Sequence, residues 1–304
     1  MISTRTLPSV AVLAVAGLAL TACSGGDPLA DTTTPDAGSE TIVVGSQDYY
    51  SNEIVAEIYA QALEAEGYEV DRQFRIGQRE AYLPEIEAGT IDLFPEYTGP
   101  VLQYWEPDTD ARLADDVYAA LQDVLPAGLR TLDQSDATDQ DAYTVTRAFA
   151  EQWGLTTIDD LAKVTQPLTL GGNSEGENRP NGPAGLKNTY GIDVGFTPIE
   201  DGGGPLTVKA LQDGDVQLAI IYTADPSVVK NDLVTLEDTK GLFLASHVVP
   251  LASDKVDDDA AAVINQVSAT MTAADLVELN ARSVDEQLPA ETIAADWLAD
   301  NDLG

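Results

Sequence analysis

Apolar and polar positions along this chain alternate with two periods, and the changes of period mark out its elements. Thr41-Ile42-Val43-Val44-Gly45 is a compact β-branched run, read as a buried strand. Ile54, Val55, Ile58, Ala62 and Leu63 then recur at helical spacing. They predict a helix from Ser51, a capping residue, to Gly67, a terminating one. Tyr68, Val70, Phe74 and Ile76 alternate, as in a half-buried strand. Residues 79–88 read as a short helix stopped by Gly89. After a strand ending at Tyr97, residues 110–125 carry Leu113, Val117, Leu121 and Val124 on one helical face. This β-α-β-α-β order predicts parallel strands joined by right-handed crossovers.

A similar alternation restarts near Ala142. Residues 143–145, 168–170, 195–199, 216–222, 233–236 and 247–251 are strand-like, with helix candidates at 157–164, 185–190 and 206–213. From residue 257 onward the pattern is helical, with Pro289 opening the last helix. Two α/β lobes with a helical C-terminal tail fit this order.

One unit occurs twice. Gly89-Thr90-Ile91-Asp92-Leu93-Phe94-Pro95-Glu96-Tyr97-Thr98 and Gly214-Asp215-Val216-Gln217-Leu218-Ala219-Ile220-Ile221-Tyr222-Thr223 each run from a helix end through a Gly and an apolar strand to Tyr-Thr. Ligands of α/β sheets bind at the carboxyl ends of strands. Two facing units would place Tyr97 and Tyr222 on opposite walls of a cleft. The alternative is two ordinary strand-end tyrosines at a sheet rim.

The first 22 residues carry one base, Arg5, no acid, and an apolar run from Val10 to Leu20. That run suits a secretory signal peptide over residues 1–22 and is shorter than the roughly 20 residues a bilayer span needs. Small residues precede Cys23, the sole cysteine. The arrangement resembles a bacterial lipobox, with Cys23 as the lipidated first residue; a plain signal peptide with an unrelated thiol is the alternative. Residues 23–40 have no apolar period and read as a flexible tether outside the membrane.

Beyond the signal peptide the chain holds 14 bases and 52 acids, a net charge of 14 − 52 = −38. Such a field repels nucleic-acid phosphates and anionic lipid headgroups, and favours cations. It also suits a surface kept soluble in saline surroundings. The single histidine, His247, lies in an apolar strand and reads as structural. No Gly-x-Ser-x-Gly elbow accompanies it. One His and one Cys cannot build a zinc site rich in those residues. Gly202-Gly203-Gly204-Pro205 lacks the Lys of a P-loop and reads as a turn into a helix, whose free N–H groups could hold an anion. Carboxylates are so abundant that a hydrolase using an acid pair stays open, although nothing singles out the pair.

Several segments resemble one family, the substrate-binding lipoproteins of ABC importers for glycine betaine, choline and related osmoprotectants. They are Glu53-Ile54-Val55-Ala56-Glu57-Ile58-Tyr59; Tyr82-Leu83-Pro84-Glu85-Ile86-Glu87-Ala88-Gly89 leading to Phe94-Pro95-Glu96-Tyr97-Thr98-Gly99; Thr138-Asp139-Gln140-Asp141-Ala142-Tyr143; Arg179-Pro180-Asn181-Gly182; and Tyr222-Thr223-Ala224-Asp225. The resemblance covers most of residues 41–251. It implies a two-lobed periplasmic-binding-protein fold of type II. The implied segments are 41–140 and 246–304 for the first lobe and 141–245 for the second, with a ligand cleft between lobes that meet near 138–142 and 243–247. It implies a cage formed by Tyr97, Tyr143, Tyr190 and Tyr222 around a trimethylammonium group, Arg179 for a ligand carboxylate, and Gln47 near the polar end. It implies permease and ATPase partners, no cofactor and no catalysis. Pro100 departs from the family pattern and removes a polar contact. The same fold tuned to an amino acid or a phenolic compound is an alternative.

The chemistry is of the right size. A quaternary ammonium donates no hydrogen bond and is held by aromatic faces at up to about 2 kcal/mol per desolvated ring. Four rings give roughly 6–8 kcal/mol gross, against about 8 kcal/mol net for micromolar binding.

Overall fold

In a computed structural model, residues 41–304 are described, and they build two five-stranded sheets flanked by helices. The signal peptide, Cys23 and the tether lie outside the described residues. The first stretch contains β1 (Ile42–Gly45), α1 (Tyr50–Ala65), β2 (Val70–Gln73), α2 (Arg79–Glu87), β3 (Leu93–Tyr97), α3 (Thr98–Trp105), α4 (Ala114–Val124) and β4 (Leu129–Thr131). The middle stretch contains β5 (Tyr143–Thr146), α5 (Arg147–Trp153), β6 (Thr169–Gly172), α6 (Pro183–Tyr190), β7 (Gly195–Pro198), α7 (Pro205–Asp213), β8 (Leu218–Ile220), α8 (Ser227–Lys230) and β9 (Leu233–Thr235). The chain then returns through β10 (Val248–Ser253) to α9 (Asp258–Thr270), α10 (Ala273–Asp285) and α11 (Ala290–Asp300).

The two sheets have strand orders β2-β1-β3-β10-β4 and β7-β6-β8-β5-β9. They share one plan. The repeated unit supplies the central strand of each, β3 or β8. That strand has a parallel neighbour on one side, β1 or β6, and an antiparallel one on the other, β10 or β5. Gly89 and Gly214 sit at φ +74° and +79°, the left-handed turn that ends α2 and α7 before each central strand. The likeness of the two sequence segments is therefore a likeness of position.

The β-α-β-α-β run of the first stretch gives the expected parallel pairs of β1 with β2 and β3, whereas β10 and β5 depart from that pattern. Each is antiparallel to both of its neighbours. The cause is their entry: they follow a crossing from the other sheet, so no helical crossover fixes their direction. The crossings, residues 132–142 and 236–247, run side by side. Thr138 bridges His247, Asp139 N–H donates to Ser246 O at 3.2 Å, and Ser246 Oγ donates to Asp139 O at 3.0 Å. His247 Nδ1 donates to Ser135 O at 2.7 Å, since a carbonyl can only accept. The lone histidine thus pins one crossing to the other.

Helix α3 has no counterpart in the sequence expectations, because Tyr-Thr-Gly-Pro reads as a turn. Pro100 falls in the first turn of α3, where its missing N–H costs nothing. The N-terminus of α7 also differs from expectation. Asp201 already accepts from Leu206 N–H at 2.6 Å and Thr207 N–H at 3.2 Å, so a side chain takes the place proposed for an anion.

The apolar stripe of α1 packs Ile54, Val55, Ile58 and Leu63 into one core with Ile293, Ala294, Trp297 and Leu298 of α11. The C-terminal helices thereby share a core with β1 and α1. In the second lobe α6 crosses the turn that carries Arg179 very closely. A methyl group at Gly185 would stand 1.6 Å from Pro180 O, a backbone atom that cannot swing aside. Gly185→Ala is expected to cost about 1–3 kcal/mol in chemical denaturation, as overpacking does; an unchanged unfolding midpoint would show that α6 rides free of that turn.

Candidate functional site between the lobes

Three strand ends and one crossing converge between the sheets. Gln47 follows β1, and Tyr49 stands just before α1. Arg79 is the first residue of α2, and Tyr97 the last of β3. Tyr222 lies just beyond β8, Arg179 in the turn before α6, and Asp139 and Asp141 on the first crossing. All eight line one recess of about 20 Å³. Neighbouring recesses of about 160 and 20 Å³ share Asp141 and Arg179 with it. The smaller recesses have room for about one water each. A group the size of trimethylammonium exceeds the two smaller recesses as they stand.

Aromatic rings close the recess. Tyr49 and Tyr222 meet across it at a tilt of 53° with ring centroids 4.7 Å apart, and Tyr49 meets Tyr50 edge-on at 4.9 Å. Tyr97 is buried, and its hydroxyl faces Ser51 and Asn52 without forming a hydrogen bond. Burial pushes the phenols of Tyr49, Tyr97 and Tyr222 well up, so all three stay neutral and offer uncharged π-faces.

Charge around the recess is arranged in pairs, with an excess of acid. Arg79 meets Glu96 through Nε–Oε1 at 2.7 Å and Nη2–Oε2 at 3.0 Å, both side chains almost wholly buried. Burial opposes the Arg79 charge, but Glu96 outweighs it and holds the guanidinium protonated. Arg179 reaches across to Glu80 with Nε–Oε1 3.1 Å and Nη2–Oε2 2.9 Å. Among the described residues no cation bonds to Asp139. It accepts from Tyr49 Oη at 3.2 Å and from Ala224 N–H at 3.0 Å. Burial pushes its carboxyl up from 3.8 to about 7, opposed by those two hydrogen bonds. Asp141 accepts from Asn181 Nδ2 at 2.7 Å.

Of the six residues expected to contact ligand, Gln47, Tyr97, Arg179 and Tyr222 are brought together here. Tyr143 and Tyr190 lie in the hydrophobic core of the second lobe. Tyr143 donates to Asn181 O at 2.6 Å and packs edge-on against Phe243, behind the Asn181–Asp141 pair. The Tyr190 hydroxyl is held by Asp238 and accepts from Lys240 N–H at 2.8 Å, while Lys240 Nζ lies 4.5 Å from its ring centre. Its face already carries a cation. Sequence reasoning missed Tyr49, Arg79, Asp139 and Asp141. The signal for Tyr49 was its place, an aromatic in the loop at the carboxyl end of β1. The others needed the fold.

Residues 40–300 match the family model described as the substrate-binding domain of ABC-type glycine betaine transport systems. The chain belongs to this family. Its relatives include the glycine betaine-binding protein YehZ of Escherichia coli, 25% identical over 285 residues, covering 89% of this chain and 93% of the relative. A glycine-betaine-binding protein of Pseudomonas aeruginosa is 26% identical over 280 residues, covering 88% and 90%. Among solved structures, a glycine betaine/carnitine/choline ABC transporter protein superposes with TM-score 0.69 at 19% identity, covering 86% of this chain and 99% of its own. A choline-binding protein in complex with choline gives 0.63 at 17%, covering 86% and 89%. At those identities the likeness shows the fold, the two-lobed type II binding-protein architecture.

In this binding domain the Asp139 environment has a cost in stability. Its carboxyl holds a proton more tightly folded, at about 7, than at its ordinary 3.8, so its ionisation destabilises the fold as pH rises through that window. Asp139→Asn removes the loss. The gain in melting temperature of the ligand-free protein is expected to be at least about 3 °C larger at pH 8 than at pH 4.5. A pH-independent difference would mean that Asp139 titrates normally.

Proposed function

We propose that this protein captures a quaternary ammonium osmolyte of the glycine betaine and choline class outside the cytoplasm and presents it to the permease of an ABC importer. One observation carries the reading. Tyr97 and Tyr222, supplied by the two copies of one structural unit, converge on a single recess together with Tyr49. The names of the relatives support the ligand class, and a family of substrate-binding domains supports capture rather than conversion.

Capture requires movement. The Tyr49–Tyr222 contact has to part, and the segments 41–140 with 246–304 and 141–245 are the bodies that would move, turning on the paired crossings. A trimethylammonium group would then lie between the faces of Tyr97, Tyr222 and Tyr49 by dispersion and cation–π attraction. Tyr143 would act from behind, holding Asn181 and through it Asp141. Arg179 would link the lobes through Glu80 as they close.

Alanine at Tyr97 or Tyr222 should weaken binding of a quaternary ammonium ligand by about 1–2 kcal/mol or more, and phenylalanine, which keeps the ring, by less. Calorimetry on the folded variants checks this; equal affinity for alanine and wild type would remove those rings from the site.

The membrane attachment belongs to the same reading. A small-residue site before Cys23 fits lipidation of that residue, which would tether the binding domain by residues 23–40. Cys23→Ser is expected to shift the protein from the membrane fraction to the soluble extracytoplasmic fraction. A variant that stays with the membrane would show that something other than the thiol anchors it.

A further inference from the structure

The two arginines of the recess are both engaged. Arg79 is held by Glu96 on two short hydrogen bonds inside the first lobe, and Arg179 by Glu80 across the cleft. Glu96 has its remaining capacity filled by Tyr82 Oη at 2.7 Å and Tyr97 N–H at 2.6 Å, so it is not free to move away. After these pairings two carboxylates remain, Asp139 and Asp141, met only by uncharged donors: Tyr49 Oη and Ala224 N–H, and Asn181 Nδ2. Two arginines face four carboxyl groups, a local charge of 2 − 4 = −2 when all four are ionised.

The approach has the same sign. The groove of about 380 Å³ that shares Tyr49 and Gln78 with the recess is lined by Asp48, Glu175, Glu200 and Asp201, against one arginine, Arg75. Arg75 is itself paired with Glu53 at 2.6 Å. Acid walls of low dielectric focus a field that draws cations inward and turns carboxylates away.

We propose that this cleft selects quaternary ammonium cations that lack a carboxylate, the amino-alcohol class, over zwitterionic betaines, and that Asp139 is the specificity-determining residue. The inference rests on the quaternary ammonium reading and narrows it. A betaine carboxylate would find no unpaired cation and would have to strip Glu80 from Arg179 or Glu96 from Arg79. A quaternary ammonium alcohol brings a net positive charge to a buried carboxylate that has none opposite it. Burying an unpaired charge is costly, and supplying its counter-ion recovers that cost at binding.

Two cations line the recess with Asp139, Arg79 from the start of α2 and Arg179 from the turn before α6, and each is bonded to its own glutamate rather than to Asp139; the other groups around it are neutral or acidic. Tyr49 and Tyr50 come from the start of α1, Tyr97 from β3, and Asp141 from its own crossing. Tyr222 and Asp225 come from the segment after β8, and Ser246 from the return crossing. The carboxyl, pushed up to about 7 by burial, therefore has to ionise to receive the ligand. The linkage sign follows: affinity for a net cation rises with pH through that value, while a zwitterion, attracted at one end and repelled at the other, shows a weaker slope.

Calorimetry with choline and with glycine betaine, at pH 6 and pH 8, on wild type, Asp139→Asn and Glu80→Gln, tests the proposal. Wild type should prefer choline, with choline affinity rising about tenfold from pH 6 to pH 8. Asp139→Asn should weaken choline about tenfold at pH 8, the size of one partly screened ion pair, and flatten its pH slope. Glu80→Gln, by freeing Arg179, should improve glycine betaine relative to choline. A preference of wild type for glycine betaine at pH 8, or a choline slope that survives in Asp139→Asn, overturns the selectivity while leaving the ligand class standing. Folded wild type that binds neither ligand at either pH overturns the class itself, and the selectivity with it. The wild-type pH comparison needs no variant to fold.

Discussion

The buried pair of Arg79 and Glu96 fixes everything around it. Glu96 is enclosed in β3 and meets four donors: two from Arg79, one from Tyr82 and one from the backbone of Tyr97. Removing one partner of such a pair leaves a charge stranded in the core and typically costs about 3–5 kcal/mol. The pair ties the start of α2 to the end of β3, and both ends open on the cleft. Tyr97, Arg79 and the neighbouring Glu80 therefore stand in fixed relation, and Glu80 in turn receives Arg179 from the opposite lobe. A core ion pair in one lobe thereby aims an ion pair between lobes.

The second organising fact is that the two sheets use one plan. Each central strand carries a tyrosine to the same end of its sheet, and the two crossings bring those ends face to face. The crossings are bonded to each other at Thr138–His247 and Asp139–Ser246. Asp139 belongs both to these crossings and to the recess, so its backbone is held by the return crossing while its carboxyl faces the cleft.

Much of this was legible in the sequence because it depends on periodicity and turn chemistry. The strands β1, β5 and β10, the stripe of α1 and the glycine-ended units before Tyr97 and Tyr222 all follow from local pattern. The direction of β5 and β10 did not, because it depends on which lobe the chain comes from. Helix α3 was hidden by Gly99-Pro100, a pair that usually breaks a helix and here opens one. The sequence could name the tyrosines but not sort them. Tyr143 and Tyr190 look like Tyr97 in one dimension, and only the path of Asn181 and Asp238 shows that their hydroxyls are already engaged. Likewise, each Arg and Asp was visible, but their pairing was not, since Glu96 and Glu80 look no different from the many surface acids.

The contact of Tyr49 with Tyr222 has a quantitative side. In this conformation the two rings meet across a recess of about 20 Å³, too small for more than about one water. Each ligand's apparent dissociation constant is its intrinsic value divided by the fraction of molecules in which that contact is parted. A ligand of this recess is bound less tightly by that factor, so its saturation curve keeps its shape and moves to higher solute concentration.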